Sequence, residues 1–215
     1  MVLYLSVVFV AMALISMFNI ALGSYDFNNY QLWVILAVIV SVVAEIAIQG
    51  LIAFIVNHLP KKWFAHDKKC FQVSKRERNF YEKIKIRSWK DKVWELGALG
   101  GFRKNKIADP TSPDYLLQFI VESNIGVVAH LVGIFFGFAV IFILPLEFAF
   151  KIGVPVALVN LLLCSLPTMI LRYNIPKLKV AYERARRTKE LEAKKKAESE
   201  KISSADEPKT ATANA

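Results

Sequence analysis

Residues 32–56 run for 25 positions with a single ionisable side chain, Glu45. About 20 residues of helix, at 1.5 Å each, cover the roughly 30 Å hydrocarbon core of a bilayer, so a run this long and this apolar reads as a membrane span. Lipid offers no partner to backbone N–H and C=O groups, which commits such a run to helix. Three further runs have the same character: Val2–Leu22, about 125–144 and about 154–171. The first has no positively charged segment ahead of it and is long for a signal peptide, so it is expected to be retained. A cleaved signal is the rival reading.

With hydrophobic residues at 55% and aromatics at 12%, the chain is too apolar for a soluble domain of its size, yet its formal charge is +10. The charge is segregated. Fifteen of the 28 Lys and Arg lie in 57–122, twelve lie in 172–215, and only Lys151 lies elsewhere. The positive-inside rule places both basic segments in the cytoplasm. The expected fold is therefore an all-α integral membrane protein with four transmembrane helices and both termini inside, in the cell membrane. Residues 1–178 form its membrane domain, and 179–215 form a charged helix that decays into a disordered tail. Cys70 and Cys164 sit in unrelated contexts, so neither a disulfide framework nor a thiolate metal site is expected.

The cytoplasmic segment 57–122 has its own signals. Pro60-Lys61-Lys62-Trp63-Phe64 closes the second span with a breaker, a basic pair and aromatic anchors. Ser74-Lys75-Arg76-Glu77 fits a capping box. From it a helix is expected over Lys75 to about Leu96, with Phe80, Tyr81 and Ile84 in one apolar patch and Ile86, Trp89, Val93 and Leu96 in another. Cations interleaved with aromatics describe a helix lying in the membrane surface. Flanking spans argue against the alternative, an aromatic platform for single-stranded nucleic acid. The glycines of 97–101 followed by Arg103-Lys104-Asn105-Lys106 lack the spacing of a phosphate loop and read as a flexible connection. Ser112 and Pro113 mark the next helix start, as N-cap and first helical residue.

Polar residues inside the spans are the candidate functional groups. Ser41, Glu45 and Gln49 recur every four residues and form one stripe. Glu45 lies near the bilayer midplane, at the depth of Asn160, and the two are placed to pair; helix-to-helix glue and a chemical role both remain open for this group. In the third span Gly126, His130, Gly133 and Gly137 share a face, and Gly133 with Gly137 makes a GxxxG pair suited to close helix approach or self-association. His130 thus points to a neighbouring helix, in a shallow layer with Ser165 and Thr168 beneath Arg172 and Glu122. Glu122 and His130 are about 12 Å apart along a continuous helix.

Four of these pieces, in order, resemble the glycosyl-diaponeurosporenoate acyltransferase family, membrane enzymes of bacterial carotenoid tailoring. They are Pro60–Phe64 with Phe71; Phe80-Tyr81-Glu82-Lys83 with Arg87-Ser88-Trp89-Lys90-Asp91-Lys92; Ile120-Val121-Glu122-Ser123 with His130; and Pro167 with Arg172-Tyr173-Asn174, Pro176 and Leu178. The stretch Asn124-Ile125-Gly126-Val127-Val128 departs from the family pattern, which carries charged residues there. The resemblance implies transfer of a fatty acyl group onto a hydroxyl of a membrane-embedded glycosylated isoprenoid or glycolipid-like acceptor. Under it His130 is the general base and Glu122 its catalytic companion. Ser123, Asn124, Trp89, Lys90, Arg172 and Asn174 hold substrate, and Glu45, Gln49 and Asn160 remain the intramembrane polar group. The acyl donor is a co-substrate, with no cofactor and no metal. Expected partners are membrane lipids, donor and acceptor, and no nucleic acid. The competing reading is a membrane scaffold or assembly subunit whose basic segment binds anionic lipid or a partner protein.

Overall fold

A computed structural model describes residues 2–23, 29–93 and 107–205, which are largely helical and contain no strand. Four helices are long and apolar enough to cross a membrane. They belong to α1 (Val2–Leu22), α2 (Tyr30–His58), α5 (Pro113–Gly137, extended by a 3-10 turn over Phe138–Phe142) and α7 (Val154–Ala205). The chain is a four-helix, all-α membrane protein. The glycine-rich stretch 97–102, the basic run that follows it and the end of the tail lie outside the described residues.

Burial follows the polarity of the surroundings. Many large apolar side chains of α1 and α2 are exposed, such as Phe9, Phe18, Ile46 and Phe54, as helix faces turned to lipid must be. At one end of the bundle Val34 and Val38 of α2 pack with Val140, Ile152 and Val156. There the expected short loop over 145–153 is itself helical, as α6 (Leu146–Phe148) and a π turn (Ala149–Gly153). Asn19 of α1 donates its amide to the Lys151 carbonyl at 3.1 Å, tying α1 to that turn.

The opposite end carries the basic segments. Ser74 caps α3 (Lys75–Lys83), accepting from the Glu77 N–H at 3.1 Å, and Ser112 caps α5, accepting from the Tyr115 N–H at 3.3 Å with Pro113 next to it. The single surface helix expected from residue 75 onward is broken. Lys85 takes the left-handed conformation, φ 51° and ψ 45°, and α4 (Ile86–Trp89) sets off in a new direction. The two apolar patches explain the break. They lie on different faces of one straight helix, and the turn at Lys85 lets Tyr81 and Ile86 bury together against Ile170 and Tyr173 of α7.

At 52 residues, α7 is about 78 Å long, more than twice the hydrocarbon thickness. It runs past the expected span end at residue 171, through Pro167 and Pro176, because its continuation has a partner. Leu178, Tyr182 and Ala185 bury against Leu116, Phe119 and Ile120 of the first turns of α5. The α5–α7 pair is the longest interface in the fold, and packing reaches Ala185, beyond residue 178.

Candidate active site

The intramembrane polar group assembles around Gln49. Its amide nitrogen donates toward three oxygens: the Gly133 carbonyl at 2.9 Å, Glu45 Oε1 at 3.0 Å and Asn160 Oδ1 at 3.1 Å. Asn160 donates in turn to Gly133 O at 3.2 Å, and the Cys164 thiol donates to Asn160 Oδ1 at 3.2 Å. Glu45 and Asn160 are thus joined through Gln49. The glycine pair makes this possible. A methyl group at Gly133 would overlap the Gln49 amide, and one at Gly137 would overlap Asn160 and come within 2.6 Å of Glu45 Oε1. The GxxxG face therefore admits polar side chains from α2 and α7 in place of a bare backbone. Glu45 Oε2 is buried and has no hydrogen-bond partner among the described residues. In lipid such interhelical hydrogen bonds hold α2, α5 and α7 together.

His130 sits half-buried on the same face of α5. On either side of it α7 faces α5, joined at Gly133 by Gln49 of α2. A Cβ at Gly126 would lie 3.0 Å from Leu171 Cδ1, and Gly133 meets Asn160. The antiparallel register brackets His130 against the stretch of α7 around buried Pro167. Thr168, in that stretch, turns its hydroxyl onto its own helix, donating to Cys164 O at 2.8 Å. A proline inside a helix also leaves the carbonyl four residues before it without its usual N–H donor.

Glu122 lies two turns nearer the basic end on the unbroken α5, and pairs with Lys61 at 3.1 Å. It is not brought to His130. Ser123 donates to Phe119 O at 2.8 Å, and fully buried Asn124 donates its amide to Phe64 O at 2.9 Å. The Ser123 bond stays within α5, whereas the Asn124 bond pins α5 to the chain that leaves α2. Asn124 Oδ1 has no hydrogen-bond partner among the described residues.

At the basic end α3, α4 and α7 meet. Arg172 binds Glu77 through two N–H groups, Nη2 to Oε2 at 2.7 Å and Nε to Oε1, and also donates to the carbonyls of Cys70 and Gln72 at 3.3 Å each. The Tyr81 hydroxyl donates to Glu77 Oε1 at 2.5 Å. Burial works to raise the Glu77 carboxyl, but the hydrogen bonds from Arg172 and Tyr81 and the adjacent positive charge outweigh it and hold the group below its ordinary value. Tyr81 is pushed up, by burial first and then by the Glu77 carboxylate. Arg87 Nε donates to the Tyr173 hydroxyl at 2.6 Å, and the Lys177 ammonium lies 3.9 Å over the Tyr173 ring. Trp89 donates its indole N–H to Ile84 O at 3.0 Å, closing the turn at Lys85. Lys90 is 3.7 Å from Asp91, and Asn174 is half-buried beside Tyr173.

Sequence reasoning assigned Arg172, Asn174, Trp89 and Lys90 to holding substrate, as the family resemblance implies. It read Glu77 only as the partner of Ser74 in a capping box, and Tyr81 only as part of an apolar patch. The available signal was Glu77 itself, an acidic residue four positions before a tyrosine on a short basic helix.

The family model for glycosyl-4,4'-diaponeurosporenoate acyltransferase matches residues 60–184, well over half of the chain. No curated protein and no solved structure matches. The match starts at Pro60, where α2 has just ended, and stops one residue before Ala185, the last residue of the α5–α7 core. It therefore takes in Glu77, Arg87, Glu122, His130 and Arg172 and leaves out α1 and α2. Residues of separate motif blocks meet at one end of the bundle, Arg87 with Tyr173 across 86 residues and Lys61 with Glu122 across 61, and the chain belongs to the glycosyl-4,4'-diaponeurosporenoate acyltransferase family.

Proposed function

We propose that the protein transfers a fatty acyl group from an acyl donor to a hydroxyl of a membrane-embedded glycosylated isoprenoid or glycolipid-like acceptor. The reaction takes place on the face of α5 and α7 just inside the basic end. The observation that carries this reading is the contact between two of the family's separated motifs, Arg87–Tyr173, where α3, α4 and the end of the α7 span meet beside the Arg172–Glu77 clamp.

His130 acts as general base. Its neutral imidazole takes the proton of the acceptor hydroxyl as that oxygen attacks the acyl carbonyl carbon. The bond from that carbon to the donor's sulfur or oxygen then breaks, and the imidazolium returns the proton to the leaving group. Glu122, two turns away and held by Lys61, meets the polar head of the acceptor and does not touch the base. Asn124 acts by position, fixing α5 against the surface segment, while Ser123 closes onto its own helix. Trp89, Lys90 and Asn174 border the donor head, with Arg172 as the strut that fixes α3 to α7. The scheme draws on donor, acceptor and membrane lipid, and uses neither metal nor resident cofactor. With both basic segments at one end, that end faces the cytoplasm of the cell membrane.

Lipid and pigment extracts of cells with and without the gene test this by mass. The expected difference is one species heavier by a fatty acyl group, present only with the gene. Identical acyl-lipid profiles under expression would favour a scaffold.

A further inference from the structure

Beside the Arg172–Glu77 clamp, and separate from His130, lies an open cleft of about 460 Å³ between α3, α4 and α7. Its floor is buried and largely aromatic, made by Tyr81, Ile86 and Tyr173. Its rim carries Lys85, Arg87 and Ser88, with Glu82 as the one carboxylate.

The donors at this cleft outnumber the acceptors. Arg87 spends its Nε on the Tyr173 hydroxyl, and its two terminal amino groups have no hydrogen-bond partner among the described residues. A guanidinium with two adjacent N–H groups to offer suits the paired oxygens of a phosphate. The Tyr173 hydroxyl accepts from Arg87 and so keeps its own proton to donate. The Ser88 hydroxyl is occupied, donating to Lys85 O at 2.8 Å, which fixes the strained turn. At that turn Lys85 takes a left-handed backbone that lysine rarely adopts, and such strain persists where surrounding structure holds it in place. Here the Trp89 indole bonded to Ile84 O and the buried Ile86 hold it, with Lys85 and Arg87 side by side at the cleft.

Depth gives the ligand its character. Tyr173 lies about 10 Å along α7 from the level of His130, at the end of a ring series through Tyr81 to exposed Phe80, an aromatic cluster of the kind found at the headgroup level. A charged head held there leaves an attached acyl chain free to enter the bilayer along α5 and α7.

We propose that the cleft formed by Lys85, Arg87 and Tyr173 over the Tyr81 and Ile86 floor binds the phosphate-bearing head of the acyl donor. This rests on the acyl-transfer reading for the donor's identity but not for the binding itself. The phosphate ester is either that of a soluble nucleotide thioester or that of a phospholipid, and the two separate by experiment.

The full-length protein in nanodiscs of neutral lipid is titrated with coenzyme A, and in a second arm phosphatidylglycerol is added to the discs and its binding measured. The variants are Arg87→Gln and Lys85→Asn, the latter because asparagine tolerates the left-handed turn and removes only the ammonium. Arg186→Gln, an equal loss of charge on the exposed part of α7, is the control. Saturable binding in either arm, weakened about tenfold or more by Arg87→Gln and by Lys85→Asn but unchanged by Arg186→Gln, supports the site and names the source of the phosphate. No binding in either arm, or binding that falls equally in all three variants, overturns it. A cleft that binds its phosphate ligand in a protein that transfers no acyl group would instead refute the acyl-transfer reading and leave the site standing.

Discussion

Replacing Glu77 by glutamine removes one charge and no volume, so it isolates the contact between α3 and α7. An exposed ion pair is worth at most about 1 kcal/mol, and breaking a fully buried one costs about 3–5 kcal/mol. This pair lies between those limits, with side chains 17% and 22% exposed. After the substitution the guanidinium keeps the Cys70 and Gln72 carbonyls, and the new amide still accepts one hydrogen bond. The loss is therefore about 2 kcal/mol, which for a chain of this length lowers Tm by about 4–8 °C. The effect also carries a pH signature. Because the folded carboxyl is held below its ordinary 4.5, its contribution is complete above that pH and is lost as pH falls through the folded value. Wild type and Glu77→Gln should differ at pH 7 and converge on acidification. Thermal scans in detergent over that range measure this, and a cycle with Arg172→Gln measures the coupling. Equal Tm values at pH 7, or additive effects of the two substitutions, would refute the pairing as a stabilising contact.

Three further outcomes follow from the packing. Glu45→Gln should retain fold and activity, since an amide still bonds Gln49 at that depth; an intact fold without activity would make Glu45 a chemical residue. Gly137→Leu should destabilise by about 1–3 kcal/mol, because the side chain must displace Asn160 and Glu45; an unchanged Tm would mean that this face is open. Reporters fused after Ala215 and inserted within residues 107–112 should both report the cytoplasm, and one reporting the exterior would break the four-span topology.

The spans were legible in the sequence because lipid leaves no alternative to helix. Residues 32–56 sit inside α2, Tyr30–His58, and the polar stripe of Ser41, Glu45 and Gln49 does face the bundle. Helix starts at Ser74 and Ser112 were legible because capping is a contact over three residues. Contacts over longer separations carry no such local signal. Nothing in its spacing marks Glu77 as the partner of Arg172, 95 residues away. The break at Lys85 was foreshadowed by two apolar patches on different faces of one helix, yet its place depends on where Ile170 and Tyr173 stand. The extension of α7 to Ala185 depends likewise on Leu116, Phe119 and Ile120, read beforehand as part of a polar segment. The depth of Asn160 was readable, whereas the role of Gln49 as the bridge to Glu45 was not, because it needs the space that Gly133 and Gly137 leave.

The central claim is that this bundle moves an acyl group with His130 as base, and one measurement bears on it most directly. Wild type and His130→Asn, purified into bilayers containing acceptor and labelled donor, are compared for acyl transfer and for thermal stability. Asparagine keeps hydrogen-bonding capacity at the Gly126–Gly133 face but takes up no proton near neutral pH. Loss of a general base costs about a hundred- to ten-thousand-fold in rate, whereas loss of a packing histidine costs about 1–3 kcal/mol of stability. The account predicts an unchanged Tm with acyl transfer reduced at least a hundredfold. Normal turnover in His130→Asn would contradict it.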